Sequence, residues 1–142
     1  PVALYQGHDV LGSSEITFSS LLGDKPIVLN YWASNCAPCA AEMPGFQKVA
    51  QRLDGKVQFF GLDVGLYSGF GGPQDSKREL RELGITYPAG PVPDLETIRS
   101  LGVLGIPSTD FITPDGTAHR QWVGTLSETK LTELVESLLS AS

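Results

Sequence analysis

Apolar positions along this chain change their period at one sharply defined place. Residues 26–32 form a continuous apolar run, Pro26-Ile27-Val28-Leu29-Asn30-Tyr31-Trp32, with the length and β-branched content of a buried strand. From Cys36 the spacing switches to threes and fours. Cys36, Cys39, Met43, Phe46, Val49, Ala50 and Leu53 then mark one face of an amphipathic helix. That helix is expected to reach about Leu53 and to stop before the Asp54-Gly55 turn pair. Pro44 removes a backbone donor inside it, which predicts a kink over residues 40–43. Residues 57–64 read as a second buried strand, parallel to the first by way of the crossover helix.

The flanking pattern is weaker but legible. Residues 1–14 read as an extended lead-in with a short strand, and Ile16-Thr17-Phe18 as another. Ser19 to Leu22 makes a single helical turn that ends at Gly23. The glycines of 65–72 predict a flexible connector; no lysine follows them in the pattern of a phosphate-binding loop. Ser76-Lys77-Arg78-Glu79 has the form of a capping box, opening a helix through Leu80 and Leu83 that stops at Gly84. Residues 85–92 are expected to be extended, and Pro88, Pro91 and Pro93 exclude them from the middle of a sheet. Asp94 caps a short helix with Leu95, Ile98 and Leu101 inward, closed by Gly102. Residues 109–112 and 118–123 flank the turn Thr113-Pro114-Asp115-Gly116 as an antiparallel hairpin, where His119 and Trp122 are structural or surface residues. A last helix from Ser127 carries the stripe Leu131, Leu134, Val135, Leu138 and Leu139.

Strands alternating with helices and closing on a hairpin predict an α/β fold. The 142 residues are enough for one domain with its own core, and neither a repeat nor a second unit is evident, so 1–142 is read as a single domain and a monomer is expected. Apolar residues make up 41% of the chain, which excludes wholesale disorder. A net charge of −6, without a lysine or arginine run, argues against nucleic acid and anionic lipid and leaves neutral or basic polypeptides as partners. No apolar run approaches the roughly 18 residues of a membrane span. The sequence starts at Pro1, not methionine, so a processed or trimmed chain without its targeting segment or anchor is expected.

Cys36 and Cys39, the only cysteines, fall where the strand pattern gives way to the helix pattern. The first turn of a helix has unpaired N–H groups and the positive end of the dipole. A thiolate there is stabilised, and its pKa moves from about 8.5 into the range of roughly 3.5–7.5. Cys36, at the start of the turn, is expected to be the more exposed and more acidic sulfur, and Cys39 to resolve what Cys36 attacks. Pro38 suits a first helical turn, where its missing donor is not needed. Zinc would require about four ligands, and only His8 and His119 remain, without ligand spacing, so no metal is assigned and His8 reads as solvated. A structural disulfide or inert buried thiols are the remaining bland readings. So small a loop removes little chain entropy, which weakens the structural one.

Trp32-Ala33-Ser34-Asn35-Cys36-Ala37-Pro38-Cys39, with Glu42 and Pro44 following, resembles thioredoxin-fold proteins of the TlpA/ResA/CcmG type. These are membrane-anchored or secreted bacterial thiol–disulfide oxidoreductases, and the similarity extends from about Glu15 to Leu139. Asn35 departs from the pattern, standing where the family usually has a second tryptophan. The resemblance implies a central mixed sheet with helices on both faces, an N-terminal β extension and a helical insertion over 65–102. It implies Cys36 and Cys39 as the catalytic pair and Trp32, Asn35, Ala37 and Pro38 as substrate contacts. Gly105-Ile106-Pro107-Ser108-Thr109 matches the family's cis-proline loop, in which the backbone before Pro107 pairs with an extended substrate segment. Asn30 occupies the place of the buried aspartate of ordinary thioredoxins and cannot titrate. Glu42, one turn beyond Cys39, is the substitute proton carrier if partly buried, and a solvated surface glutamate otherwise.

The implied reaction is thiol–disulfide exchange with protein substrates, mostly in the reducing direction, in extracytoplasmic maturation such as cytochrome c or copper-centre assembly. The redox-active disulfide itself is expected to serve in place of any cofactor, with a membrane thiol donor of the DsbD/CcdA type resetting it. The implied location is the periplasm or the outer face of a bacterial membrane. Rival readings are a Cu(I) metallochaperone using the same thiolates and a peroxiredoxin-like peroxidase. The peroxidase needs a threonine and an arginine around its cysteine, and no arginine is near Cys36 in sequence.

Overall fold

The computed structural model describes residues 2–3, 15–16 and 18–142. In chain order the elements are strands β1 (Val2–Ala3) and β2 (Glu15–Ile16), helix α1 (Phe18–Leu21), strand β3 (Ile27–Trp32), helix α2 (Ala37–Arg52) and strand β4 (Gln58–Asp63). There follow a short 3₁₀ turn (Gly65–Tyr67), helix α3 (Pro73–Glu82), strand β5 (Ala89–Pro91), helix α4 (Leu95–Leu101), strands β6 (Ser108–Ile112) and β7 (Ala118–Val123), and helix α5 (Glu128–Ser140). The main sheet has the order β5-β4-β3-β6-β7. β3 runs parallel to β4 and antiparallel to β6, so the sheet is mixed. β1 and β2 pair as a separate antiparallel ribbon, the N-terminal extension. His8, read as solvated, lies outside the described residues.

The alternation of β3 sorts its side chains between two layers. Val28 packs with Phe46 and Val49 of α2 and with Leu131, Leu134, Val135 and Leu138 of α5. Ile27, Leu29 and Tyr31 face the other layer, with Ile98 and Leu101 of α4 and Leu21 next to them. Helices therefore cover both faces, and the architecture is the expected thioredoxin fold. Phe46 is fully buried and meets Phe59 of β4 edge-on, ring centroids 6.2 Å apart. Phe46→Ala is expected to cost about 3–5 kcal/mol of stability, measured as a lowered urea midpoint with an unchanged slope.

The helix bearing the cysteines runs from Ala37 through Pro44 to Arg52 as one element and stops next to the expected Leu53. Two expectations are corrected. The helix read as opening at Ser76 begins at Pro73, whose fixed φ suits a first helical position. Ser76 is then not a cap but a fully buried side chain. Leu95, expected inward, is exposed; only Ile98 and Leu101 of α4 reach the core. β5 pairs only with β4, at the sheet edge to which its prolines restrict it.

Candidate active site

β3 ends at Trp32, and the chain turns through Ala33, Ser34 and Asn35 into α2. Asn35 has φ +62, the left-handed conformation that asparagine tolerates better than most side chains. Cys36 takes the N-cap position with extended backbone, and Pro38 lies in the first turn. Cys36 and Cys39 are joined as a disulfide with their Cα atoms 5.3 Å apart. The first helical hydrogen bond, from the Ala40 N–H to the Cys36 carbonyl, stands at 3.0 Å with the disulfide closed. Closure therefore leaves the helix start intact.

Cys39 is fully buried and Cys36 is 4% exposed, so the expected order of exposure holds while the expected openness of Cys36 does not. What Cys36 does reach is a groove between the head of α2 and α3. Asn35, Ala37 and Ala40 form one wall, and Asp75, Arg78, Glu79 and Glu82 stand on the other. Arg78 arrives there from far along the chain, invisible to any search of sequence neighbours. Its guanidinium is bound to Asp75 at 2.7 Å.

Asn35, Ala37 and Pro38 are exposed around the disulfide. Trp32, expected among the substrate contacts, is instead fully buried in a cluster with Cys36, Cys39, Met43, Leu80 and Ala89. Its indole floors the site, and Gly61 of β4 lacks a side chain where a Cβ would come within 3.0 Å of the indole nitrogen. Ile106 packs against the same cluster, which brings the second loop to the cysteines. The Ile106-Pro107 peptide is cis, as the resemblance implied.

Glu42 is buried, and both carboxylate oxygens are engaged. Asn30 Nδ2 donates to Oε1 at 2.8 Å, and the Leu126 N–H donates to Oε2 at 3.0 Å. Burial disfavours its charged form and outweighs those hydrogen bonds, so its pKa is raised from 4.5 to about 7. Asn30 also reaches the Ser108 carbonyl and the Thr109 hydroxyl on β6. The residue in the place of the usual aspartate thus holds the glutamate and does not titrate. Sequence spacing gave no hint of Leu126, and Ser108 and Thr109 are read from sequence only as part of the cis-proline loop, without a role; all three are brought in by pairing and packing at long range.

Chemically, the arrangement supplies a sulfur at a helix head, a second sulfur one turn deeper, and a buried acid that titrates near neutrality one turn further on. Among the described residues no group of three or more His, Cys, Asp or Glu side chains could hold a metal ion. Among them, too, no helix is long and apolar enough to cross a membrane.

A family model described as the AhpC/TSA family matches residues 6–120. The thiol–disulfide oxidoreductase ResA of Halalkalibacterium halodurans is 25% identical over 115 residues, covering 81% of this chain and 63% of that protein. The thiol:disulfide interchange protein HelX of Rhodobacter capsulatus is 28% identical over 127 residues, covering 89% and 68%. The chain therefore spans about two thirds of the length of these relatives. A solved structure of a DsbF homologue from Corynebacterium diphtheriae superposes with a TM-score of 0.74 at 26% identity, covering 96% of this chain and 85% of that one.

Proposed function

The chain belongs to the AhpC/TSA family, and from that premise we propose that it is a thiol–disulfide oxidoreductase acting on protein substrates, in the reducing direction. The observation that carries this reading is the Cys36–Cys39 disulfide closed at the head of α2 with the first helical turn undisturbed. A pair so placed can cycle between dithiol and disulfide with little movement of the helix start. Relatives named thiol–disulfide oxidoreductase and thiol:disulfide interchange protein support it.

In the proposed cycle the reduced protein presents Cys36 as a thiolate. It attacks one sulfur of a substrate disulfide, forming a mixed disulfide and releasing the other substrate sulfur as a thiolate. Glu42, as carboxylate, takes the proton of Cys39. The Cys39 thiolate then displaces the substrate from Cys36, closing the Cys36–Cys39 disulfide. The substrate gains two electrons and leaves as two thiolates, which take up protons from Glu42 and from solvent; the protein loses the two electrons and the Cys39 proton. A dithiol donor from outside, of the membrane DsbD/CcdA class, returns them. Ile106 and Pro107 would hold an extended substrate segment beside Cys36, with Asn35, Ala37 and Pro38 at its edge.

The finer setting proposed follows the sequence resemblance to the TlpA/ResA/CcmG type: an extracytoplasmic reductant, in the periplasm or on the outer face of the cytoplasmic membrane, serving maturation of proteins such as cytochrome c or copper centres. Insulin reduction driven by dithiothreitol tests the activity, and equilibration with glutathione buffers tests the direction. Turnover with a potential well below that of a strong oxidant is expected; a value near about −120 mV would reverse the assigned direction. The peroxidase alternative gains Arg78 as a neighbour, but that guanidinium is already bound to Asp75. Peroxide consumption at rates matching disulfide reduction would favour it.

A further inference from the structure

Behind the turn that delivers Cys36 lies a buried hydrogen-bond chain that the exchange cycle does not use. Asp63, the last residue of β4, is buried and accepts the Gly65 N–H on Oδ1 at 2.8 Å. Its Oδ2 accepts the Ser76 hydroxyl at 2.5 Å. Ser76 and Ser34 are both fully buried, with their hydroxyl oxygens 3.3 Å apart. A hydroxyl has one proton. Ser76 gives its own to the carboxylate, the stronger acceptor, so Ser34 donates to the Ser76 oxygen. Two further bonds tie the same turn. The Gly71 N–H donates to the Ser34 carbonyl at 3.3 Å, and the Asn35 N–H donates to Glu79 Oε2 at 3.2 Å. Gly71 approaches so closely that a Cβ there would run into the Ser34 hydroxyl and come within 2.8 Å of Asn35 Nδ2.

Burying a carboxylate and two hydroxyls is costly unless every partner is present, and a satisfied network then admits a single arrangement. Here that arrangement fixes Ser34 and the left-handed Asn35, the two residues on which the direction of the Cys36 side chain depends. We propose that Asp63, Ser76 and Ser34 form a positioning strap: they hold the Ser34–Asn35 turn, and with it the place of Cys36 at the N-cap of α2, and so set that sulfur's reactivity. None of the three touches the reacting atoms. α3, within the segment that resembles a family insertion, thereby acts on the cysteine from behind. The inference rests on the thiol-exchange reading of the site.

The test uses the full chain in a Cys39→Ser background, where Cys36 is the sole thiol. Ser34→Ala, Ser76→Ala and the double variant are reduced and alkylated with iodoacetamide over about pH 5 to pH 9, spanning the thiol range. The charged groups sharing the groove with Cys36, namely Asp75, Arg78, Glu79 and Glu82, and the buried Glu42 are left intact. Each single variant is expected to slow alkylation near neutrality by about three- to tenfold, the effect of one lost hydrogen bond on the turn. Its reactivity midpoint should move upward. The double variant should match the singles, because a strap broken once is already broken. Profiles that coincide with the parent, additive losses, or alanine variants that fail to fold would each overturn the strap and leave these residues as core packing. A parent whose Cys36 already behaves as a free thiol would instead overturn the exchange reading.

Discussion

Cys36→Ser is expected to abolish disulfide reduction, by at least about a thousandfold, while Cys39→Ser stops the protein after a single attack. The serine hydroxyl does not ionise in the range where a helix head stabilises a thiolate, so the first displacement has no nucleophile. With Cys39 replaced, Cys36 keeps its place at the N-cap and still forms the mixed disulfide. Nothing then releases the substrate. Insulin turnover should fall to background in both variants, but only Cys39→Ser should accumulate a covalent adduct, seen by mass spectrometry and dissolved by dithiothreitol. The adduct trapped in cells also identifies the natural substrate. Adducts on Cys36→Ser in place of Cys39→Ser would exchange the assigned roles.

Glu42→Gln is expected to act on both stability and turnover, with opposite pH signatures. The folded pKa of Glu42 lies near 7 against 4.5 for the free group, so the folded state holds a proton that the unfolded state has lost between those values. Its contribution is fully present below about pH 4.5 and is lost as pH rises through about 7. The shift corresponds to stability on the order of 3 kcal/mol. Glutamine cannot titrate, so urea titrations at several pH values should show this slope in the parent and not in the variant. The amide also presents a donor toward Asn30 or Leu126, which lowers stability at every pH, and for that reason the slope is the readout. In turnover, release of the mixed disulfide should slow by about a hundredfold near neutrality. The deficit should shrink as the pH is raised into the alkaline range, where hydroxide removes the Cys39 proton without help from a carboxylate. A loss of equal size at all pH values would remove Glu42 from proton transfer and leave it a packing residue.

The strand over Ile27–Trp32 and the face of α2 were legible because each is a long periodic signal that burial on a sheet rewards directly. The position of the cysteines at their junction followed from the same two patterns. Partial legibility attaches to Glu42: its spacing from Cys39 could be read, but not its burial, which depends on Asn30 across the sheet and Leu126 near the other end of the chain. Ser76 was misread for a physical reason. Its local sequence fits a capping box, while Pro73 starts the helix earlier and the buried Asp63 carboxylate claims the hydroxyl. The glycines of 65–72 look like slack. In the fold Gly65 and Gly71 are buried, and Gly71 is small because the turn before Cys36 presses against it. Leu95 has the spacing of an inward residue, but a helix of two turns reaches the sheet face only through Ile98 and Leu101 and leaves its first residue outside.

The state of Cys36 in the reduced protein bears most directly on this account. Alkylation of the dithiol form followed across pH, with the modified cysteine identified by peptide mapping, reports that state in one experiment. Cys36 ionising within the range of about 3.5–7.5, and reacting ahead of Cys39 throughout, is the expected result. A Cys36 that titrates near about 8.5, with Cys39 reacting equally fast, would contradict it.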